Sequence, residues 1–255
     1  MNHDLGQLSD WFKANQLSVN ATKTKYMFIT KKKTNIPDDL SLCIGTEKLE
    51  RVANTKFLGL ILDENMLWRD HINHCSKKVS SGIYAMNAAK RYLSSEHLHI
   101  LYYSLIHPYL IYGNLVWGNT YQKYLHRLEI LQKKAIRIMT KSAYNEHTSP
   151  LFKEAKILKL KDLHDVHVCT FMYAYVNGKV PVPLSTIYDQ NREGHRHNTR
   201  HANDPKLPKC QTDLARRSLL YRGPLLWMDL QHPMKTSATK QTFKNAWQKT
   251  AFITY

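Results

Sequence analysis

Residues 122–141 read QKYLHRLEILQKKAIRIMTK. Leu125, Leu128, Leu131, Ala135 and Ile138 recur at steps of three and four, the spacing of one face of an α-helix. Arg127, Lys134 and Lys141 recur every seven residues with Lys123, Lys133 and Arg137 beside them, so a second face is basic. Such a helix packs through its leucines and turns its cations outward. A row of cations suits a phosphate backbone, because each neutralised phosphate releases condensed counterions. A lysine-rich surface that meets only water is the plainer alternative; the charge of the whole chain and the nearby Tyr121, Tyr124 and Tyr144 favour nucleic acid.

Working outward, the helical period holds on both sides. Ile72, Cys75, Val79, Ile83 and Met86 mark one helix and Leu98, Leu101 and Leu105 another, while residues 150–177 are helical until Pro181 and Pro183 end the pattern. A polar, basic stretch, 189–208, reads as an exposed loop. Gly223-Pro224-Leu225-Leu226-Trp227 then supplies an apolar anchor, and a last helix occupies about 243–252. Before Leu67 the pattern differs. Residues 3–15 predict a helix with Leu5, Leu8, Trp11 and Phe12 on one face, and residues 26–30, 40–44, 48–52 and 57–62 read as short strands. The fold expected is α+β and mainly helical, a small antiparallel sheet followed by a helical bundle.

The 255 residues carry 37 Lys and Arg against 20 Asp and Glu, a net charge of +17. Of that excess, +8 lies between Met66 and Lys141, where 11 basic residues meet 3 acidic ones. A hydrophobic content of 43% with only 9 Gly and 9 Pro excludes a collagen-like or wholly disordered polymer. Cys43, Cys75, Cys169 and Cys210 never pair as C-x-x-C, which leaves no disulfide framework or zinc ribbon and suits a reducing compartment. Met1-Asn2-His3-Asp4-Leu5 does not open a secretory signal, so an intracellular protein is expected. The uncharged span between Glu96 and Lys123 has the length of a membrane helix, but His97, His99, His107, Asn114 and Asn119 interrupt it and Pro108 divides it. A buried helical pair is expected there, and no membrane partner.

The usual signatures of hydrolytic and nucleotide chemistry are absent: there is no G-x-S-x-G, P-loop or H-E-x-x-H. In the loop, His195, His197 and His201 with Cys210 suggest a metal, yet only His197 and His201 have a ligand-pair spacing, so contact with phosphate or solvent is the expectation and no metal site is assigned. His71 and Cys75 share a helix face without a carboxylate or second pair, as at the edge of a core. The single adjacent acidic pair, Asp38-Asp39, follows Ile36-Pro37 and reads as a turn between strands.

The order of short motifs is specific where each alone is weak. Leu8, Trp11, Asn15, Leu17 and Asn20 precede Lys23-Thr24 and Met27-Phe28; then come Thr55-Lys56-Phe57-Leu58-Gly59, Leu62-Asp63, Trp68 and His71-Ile72. Farther on stand Pro108-Tyr109, Tyr112-Gly113, Val116-Trp117-Gly118, Leu131-Gln132-Lys133-Lys134-Ala135-Ile136-Arg137, Pro150-Leu151-Phe152, Asn198-Thr199-Arg200 and Gly223-Pro224-Leu226-Trp227. Over nearly its whole length the chain resembles the reverse transcriptase of non-LTR (LINE, jockey-like) retrotransposons, in the part that follows the catalytic Tyr-x-Asp-Asp hairpin.

The resemblance implies that residues 1–65 are the end of the palm, with Lys23 the lysine placed near the incoming triphosphate and Phe57-Leu58-Gly59 the primer grip. Residues 66–145 become the helical thumb and 146–255 the carboxy-terminal extension. The implied partners are RNA and DNA as a template-primer duplex, held by Lys123, Arg127, Lys133, Lys134, Arg137, Lys141 and Arg200, in cytoplasm and nucleus. The family's Trp-Asn near its end is Trp227-Met228 here. The fingers, the first catalytic aspartate motif and the Tyr-x-Asp-Asp motif do not occur in these residues. No catalytic residue is therefore expected beyond Lys23 and no cofactor, Mg²⁺ belonging only to the complete polymerase. A carboxy-terminal polymerase fragment, inactive alone, is the first expectation; a non-catalytic nucleic-acid-binding module or a nonfunctional element remnant are the alternatives. The oligomeric state stays open.

Overall fold

Helix α1 (Asn2–Ala14) begins with Asp4 in its first turn and ends with Lys13 in its last, both favourable to the helix dipole. None of its residues is buried; Leu8 is 44% and Trp11 56% exposed, so the apolar face expected from the periodicity is mostly uncovered. Asn2 ties the helix to the strands that follow: its Nδ2 donates to the Ser41 carbonyl (3.2 Å) and its Oδ1 accepts from the Cys43 amide (3.2 Å). The computed structural model describes residues 1–29, 41–190 and 204–255. They form two compact units, Met1–His71 and Ile72–Tyr255.

In the first unit the expected antiparallel sheet gives way to three separate two-stranded ribbons among the described residues. Strands β1 (Lys25–Tyr26) and β4 (Glu50–Arg51) pair in parallel, β2 (Cys43–Ile44) and β3 (Glu47–Lys48) form a hairpin, and β5 (Asn54–Phe57) pairs antiparallel with β6 (Leu60–Asp63). The run 57–62, read as one strand, is a hairpin tip. Leu58 (φ 45°) and Gly59 (φ 83°) are its two-residue loop, and two positive φ values are what the turn matching the strand twist demands. Leu58 adopts this conformation despite its Cβ and is 74% exposed.

Asp63 closes the unit. Its carboxylate accepts from the backbone amides of Asn65 (3.2 Å), Leu67 (3.0 Å) and Trp68 (2.7 Å), holding a loop in which Met66 and Trp68 also take positive φ. Helix α2 (Arg69–Ala89) follows, and the boundary between the units falls in its first turn. On it Ile72, Cys75, Val79, Ile83 and Met86 are all buried, as their period requires.

The second unit is helical: α3 (Ser95–Leu105), α4 (His107–Ile111), α5 (Asn114–Trp117), α6 (Gln122–Met139), α7 (Thr148–Glu154), α8 (Leu160–Val176), a 3-10 turn (Val182–Leu184), α9 (Asp213–Arg217), α10 (Leu219–Asp229), α11 (His232–Lys235) and α12 (Lys240–Ile253). Pro108 divides the long uncharged span as expected, sitting in the first turn of α4. No described helix is long and apolar enough to cross a membrane. Helix α8, buried on most of its circumference, is the centre, with α4, α5, α6, α10 and α12 against it. Its far end joins a core in which Phe243 stacks on Tyr173 (5.0 Å) and on Trp227 (6.2 Å). The apolar anchor expected at Gly223-Pro224-Leu225-Leu226-Trp227 lies within α10, with Gly223, Pro224 and Trp227 buried.

Candidate nucleic-acid interface

Helix α6 buries Leu125, Leu128, Gln132, Ala135, Ile136, Ile138 and Met139. At ~100° per residue, Lys123, Arg127, Lys134 and Arg137 fall within an arc of about 80°, with Lys133 some 40° beyond, and this basic stripe lies roughly 160° from the centre of the buried face. Lys123 to Arg137 covers ~21 Å at 1.5 Å per residue, which is the rise of about six base pairs at ~3.4 Å each. Ile130, 51% exposed, stands in the middle of the stripe.

Each cation has its own surroundings. The Lys123 ammonium lies 5.0 Å from the Tyr124 ring centre and 5.5 Å from that of Tyr121. Arg127, Lys133 and Lys134 are exposed. Lys133 borders a cavity of about 330 Å³ with Lys159, Lys161, Asp162 and Tyr255. Arg137 is half-buried and its Nε–H donates to the Glu146 carbonyl (2.9 Å), so it also serves the loop after the helix. Lys141 follows the helix in the left-handed region (φ 56°) and is exposed.

Sequence reasoning passed over a second basic element beside α6. Arg217 on α9 lies 3.7 Å over the Tyr121 ring and is bound to Asp213 through Nε and a terminal nitrogen (3.0 Å each), while Asn119 Nδ2 donates to its carbonyl (3.1 Å). The Arg217 hydrogen bonds hold the Asp213 carboxyl below its ordinary range. The pair Arg216-Arg217 four residues after an aspartate was the available sign.

The other expected site residues stand apart from this helix in the chain. Lys23 is exposed in a turn organised by Asn20, whose Oδ1 accepts from the Lys23 amide (3.1 Å) and the Thr22 hydroxyl (2.6 Å). Phe57, Leu58 and Gly59 form the β5–β6 tip. Both belong to the first unit. Arg200, the loop histidines and Asp38-Asp39 lie outside the described residues. At the edges of the undescribed stretch 191–203, Gln190 bridges Pro205, and Asp204 pairs with Lys235 (3.5 Å) and accepts from Trp227 Nε1 (3.3 Å). His71 and Cys75 are buried; the Ile61 amide donates to His71 Nδ1 (3.4 Å), and burial pushes the Cys75 thiol up to about 11. Among the described residues no three His, Cys, Asp or Glu converge as a metal would need.

The chain is similar over 161 residues, 62% of its length, to the RNA-directed DNA polymerase from mobile element jockey of Drosophila funebris, at 26% identity. It is 20% identical over 223 residues (86% of the chain) to the probable RNA-directed DNA polymerase from transposon X-element, and 22% over 171 residues (66%) to that from transposon BS, both of Drosophila melanogaster. The chain is thus similar to RNA-directed DNA polymerases of jockey-like mobile elements. These matches cover 17%, 22% and 19% of the relatives, so the chain spans about a fifth of their length. No family model and no solved structure matches it. Several residues of the short sequence motifs are packing residues: Trp117, Gln132, Ile136 and Trp227 are all buried. Gln132 Nε2 donates to Tyr102 Oη (3.1 Å) and the Leu158 carbonyl (2.9 Å), and its Oε1 accepts from the Leu160 amide (2.9 Å).

Proposed function

We propose that this chain is the palm-end, thumb and carboxy-terminal region of a jockey-like reverse transcriptase, and that it grips the template-primer duplex through the outer face of α6 without catalysing synthesis by itself. The observation that carries the grip is the division of α6 into a packed face and a basic face long enough for about six base pairs. Cations so spaced position a backbone and carry no base-reading set, so binding is expected to be indifferent to sequence. Inactivity follows from chemistry: two Mg²⁺ ions need converging aspartates. The residues present do not fit that requirement, since Asp38-Asp39 lacks the aromatic-x step of a catalytic hairpin and no metal-holding cluster occurs among the described residues.

Binding of the 255-residue protein to an RNA–DNA hybrid, measured by anisotropy from 50 to 200 mM salt (about the range over which phosphate contacts are lost), tests both parts. Steep weakening with salt, and a slope shallower by about one in Lys134→Gln, is expected. Salt-independent binding would refute the grip, and templated primer extension would refute inactivity.

A further inference from the structure

On the side of α8 that faces α5 and α12 lies an open groove of about 530 Å³, within the roughly 300–1,000 Å³ of small-molecule sites. His167, Phe171 and Ala174, spaced i, i+4 and i+7 on α8, form one wall, and Leu115, Val180 and Leu184 extend its apolar surface. The rim is cationic. Lys240 and Lys244 come from one face of α12, and Lys179 from the segment just beyond α8. No carboxylate lines the groove, and none of the three lysines forms an ion pair among the described residues. His167 stays neutral down to about pH 4, held there by burial and by Lys244, and so offers a hydrogen bond rather than a charge. Lys179 also lies 6.0 Å from the Tyr173 ring centre, but no carboxylate answers the three cations gathered around an apolar slot with an aromatic wall.

We infer that this groove is a second nucleic-acid site, separate from α6, that takes an unpaired nucleotide of a single strand, with the base against Phe171 and the flanking phosphates on Lys179, Lys240 and Lys244. An apolar body with anionic groups on either side is the chemistry that matches the slot, and a base between two phosphates has that form. Base stacking on an aromatic side chain tolerates any sequence and is what single-strand binders combine with a basic groove. A paired base has its faces covered by its neighbours and is excluded. The inference rests on the reading of α6 for its choice of nucleic acid over other amphiphilic anions.

The test compares labelled ten-residue oligo(dT) with a ten-base-pair RNA–DNA hybrid on the whole 255-residue chain. Lys240 is exposed and Lys244 half-buried at a helix surface, so Lys240→Gln with Lys244→Gln leaves the packing of α12 in place. The double variant is expected to bind oligo(dT) about tenfold more weakly, with a salt slope lower by about 1.4 (some 0.7 per phosphate on a single strand), and to bind the hybrid within about twofold of the parent. Oligo(dT) affinity unchanged by the double substitution, equal losses on both ligands, or no binding of oligo(dT) by the parent would each overturn the groove. Hybrid binding unmoved by Lys134→Gln would instead overturn the α6 grip, which separates the two failures.

Discussion

Gly118 lies against the Nδ1 edge of the His164 ring: a Cβ at Gly118 would come to 2.5 Å from His164 Nδ1 and 2.6 Å from the Asn114 carbonyl oxygen. That carbonyl is the acceptor for His164 Nδ1–H at 3.1 Å, so the same small space holds the hydrogen bond that orients a buried ring between α5 and α8. Gly118→Ala should therefore cost roughly 1–3 kcal/mol, the range for overpacking a filled interior. Thermal melting several degrees lower, with α-helical content unchanged at low temperature, is the expected result; an unchanged melt would show that the ring can move aside.

Gln132 makes a second, more costly prediction. Gln132→Leu keeps the volume on α6 but leaves the Leu158 carbonyl and the Leu160 amide without partners, each loss being worth about 1–3 kcal/mol. Urea unfolding should show a loss of about 2–4 kcal/mol at unchanged slope. Lys134→Gln, one helical half-turn away on the exposed face, should stay within about 0.5 kcal/mol of the parent.

Acid should weaken the second unit between pH 6.5 and about 4. The sign follows from His167, whose ordinary value of 6.5 is lowered to about 4 by burial and by Lys244, His164 and His107. An unfolded chain takes up the proton as pH drops below 6.5 while the folded one does not until about 4, so stability present above 6.5 is lost across that window. His107 and His164 are lowered by burial and act in the same direction, whereas Asp162, raised by burial, opposes them. His167→Gln should make melting curves at pH 7 and pH 4.5 differ less than they do in the parent, by on the order of 2–3 kcal/mol.

The β5–β6 tip is held against the preference of Leu58. Leu58→Asn relieves a left-handed conformation that a branched apolar side chain disfavours and asparagine tolerates, and should stabilise the hairpin by about 0.5–1 kcal/mol. Amide exchange at Phe57 and Leu60 should slow by roughly two- to fivefold. No slowing would mean that the tip is not strained.

Helices were legible in the sequence wherever a long period ran on: the core positions of α2 are those the spacing of apolar residues picks out, and on α6 Leu125, Leu128, Ala135 and Ile138 are buried as the spacing requires, while Leu131 is half-buried and Gln132, Ile136 and Met139 widen the packed face. The strands were not, since two- to four-residue ribbons are fixed by turn backbone rather than by alternation, and Leu58-Gly59 looks apolar until both φ values are known. At the candidate interface the cations of α6 were visible as a seven-residue repeat. Arg217 was not, because its place over Tyr121 depends on a contact across nearly a hundred residues of sequence. The groove of Phe171, Lys179 and Lys244 was hidden for the same reason: each residue is unremarkable in its own segment, and the packing of α12 on α8 puts them together.

The two faces of α6 also set how this protein can change over generations. Because the basic stripe and the core contacts sit on opposite sides of one helix, substitutions on them should combine additively, the first kind altering the proposed grip and the second altering folding. A copy released from selection could shed Lys123, Arg127, Lys133 and Lys134 one after another while remaining as well folded as before, whereas loss of Arg137 would also free the Glu146 carbonyl. Persistence of the fold in a genome would then be no record of persistence of the grip; the charge along that single stripe would be.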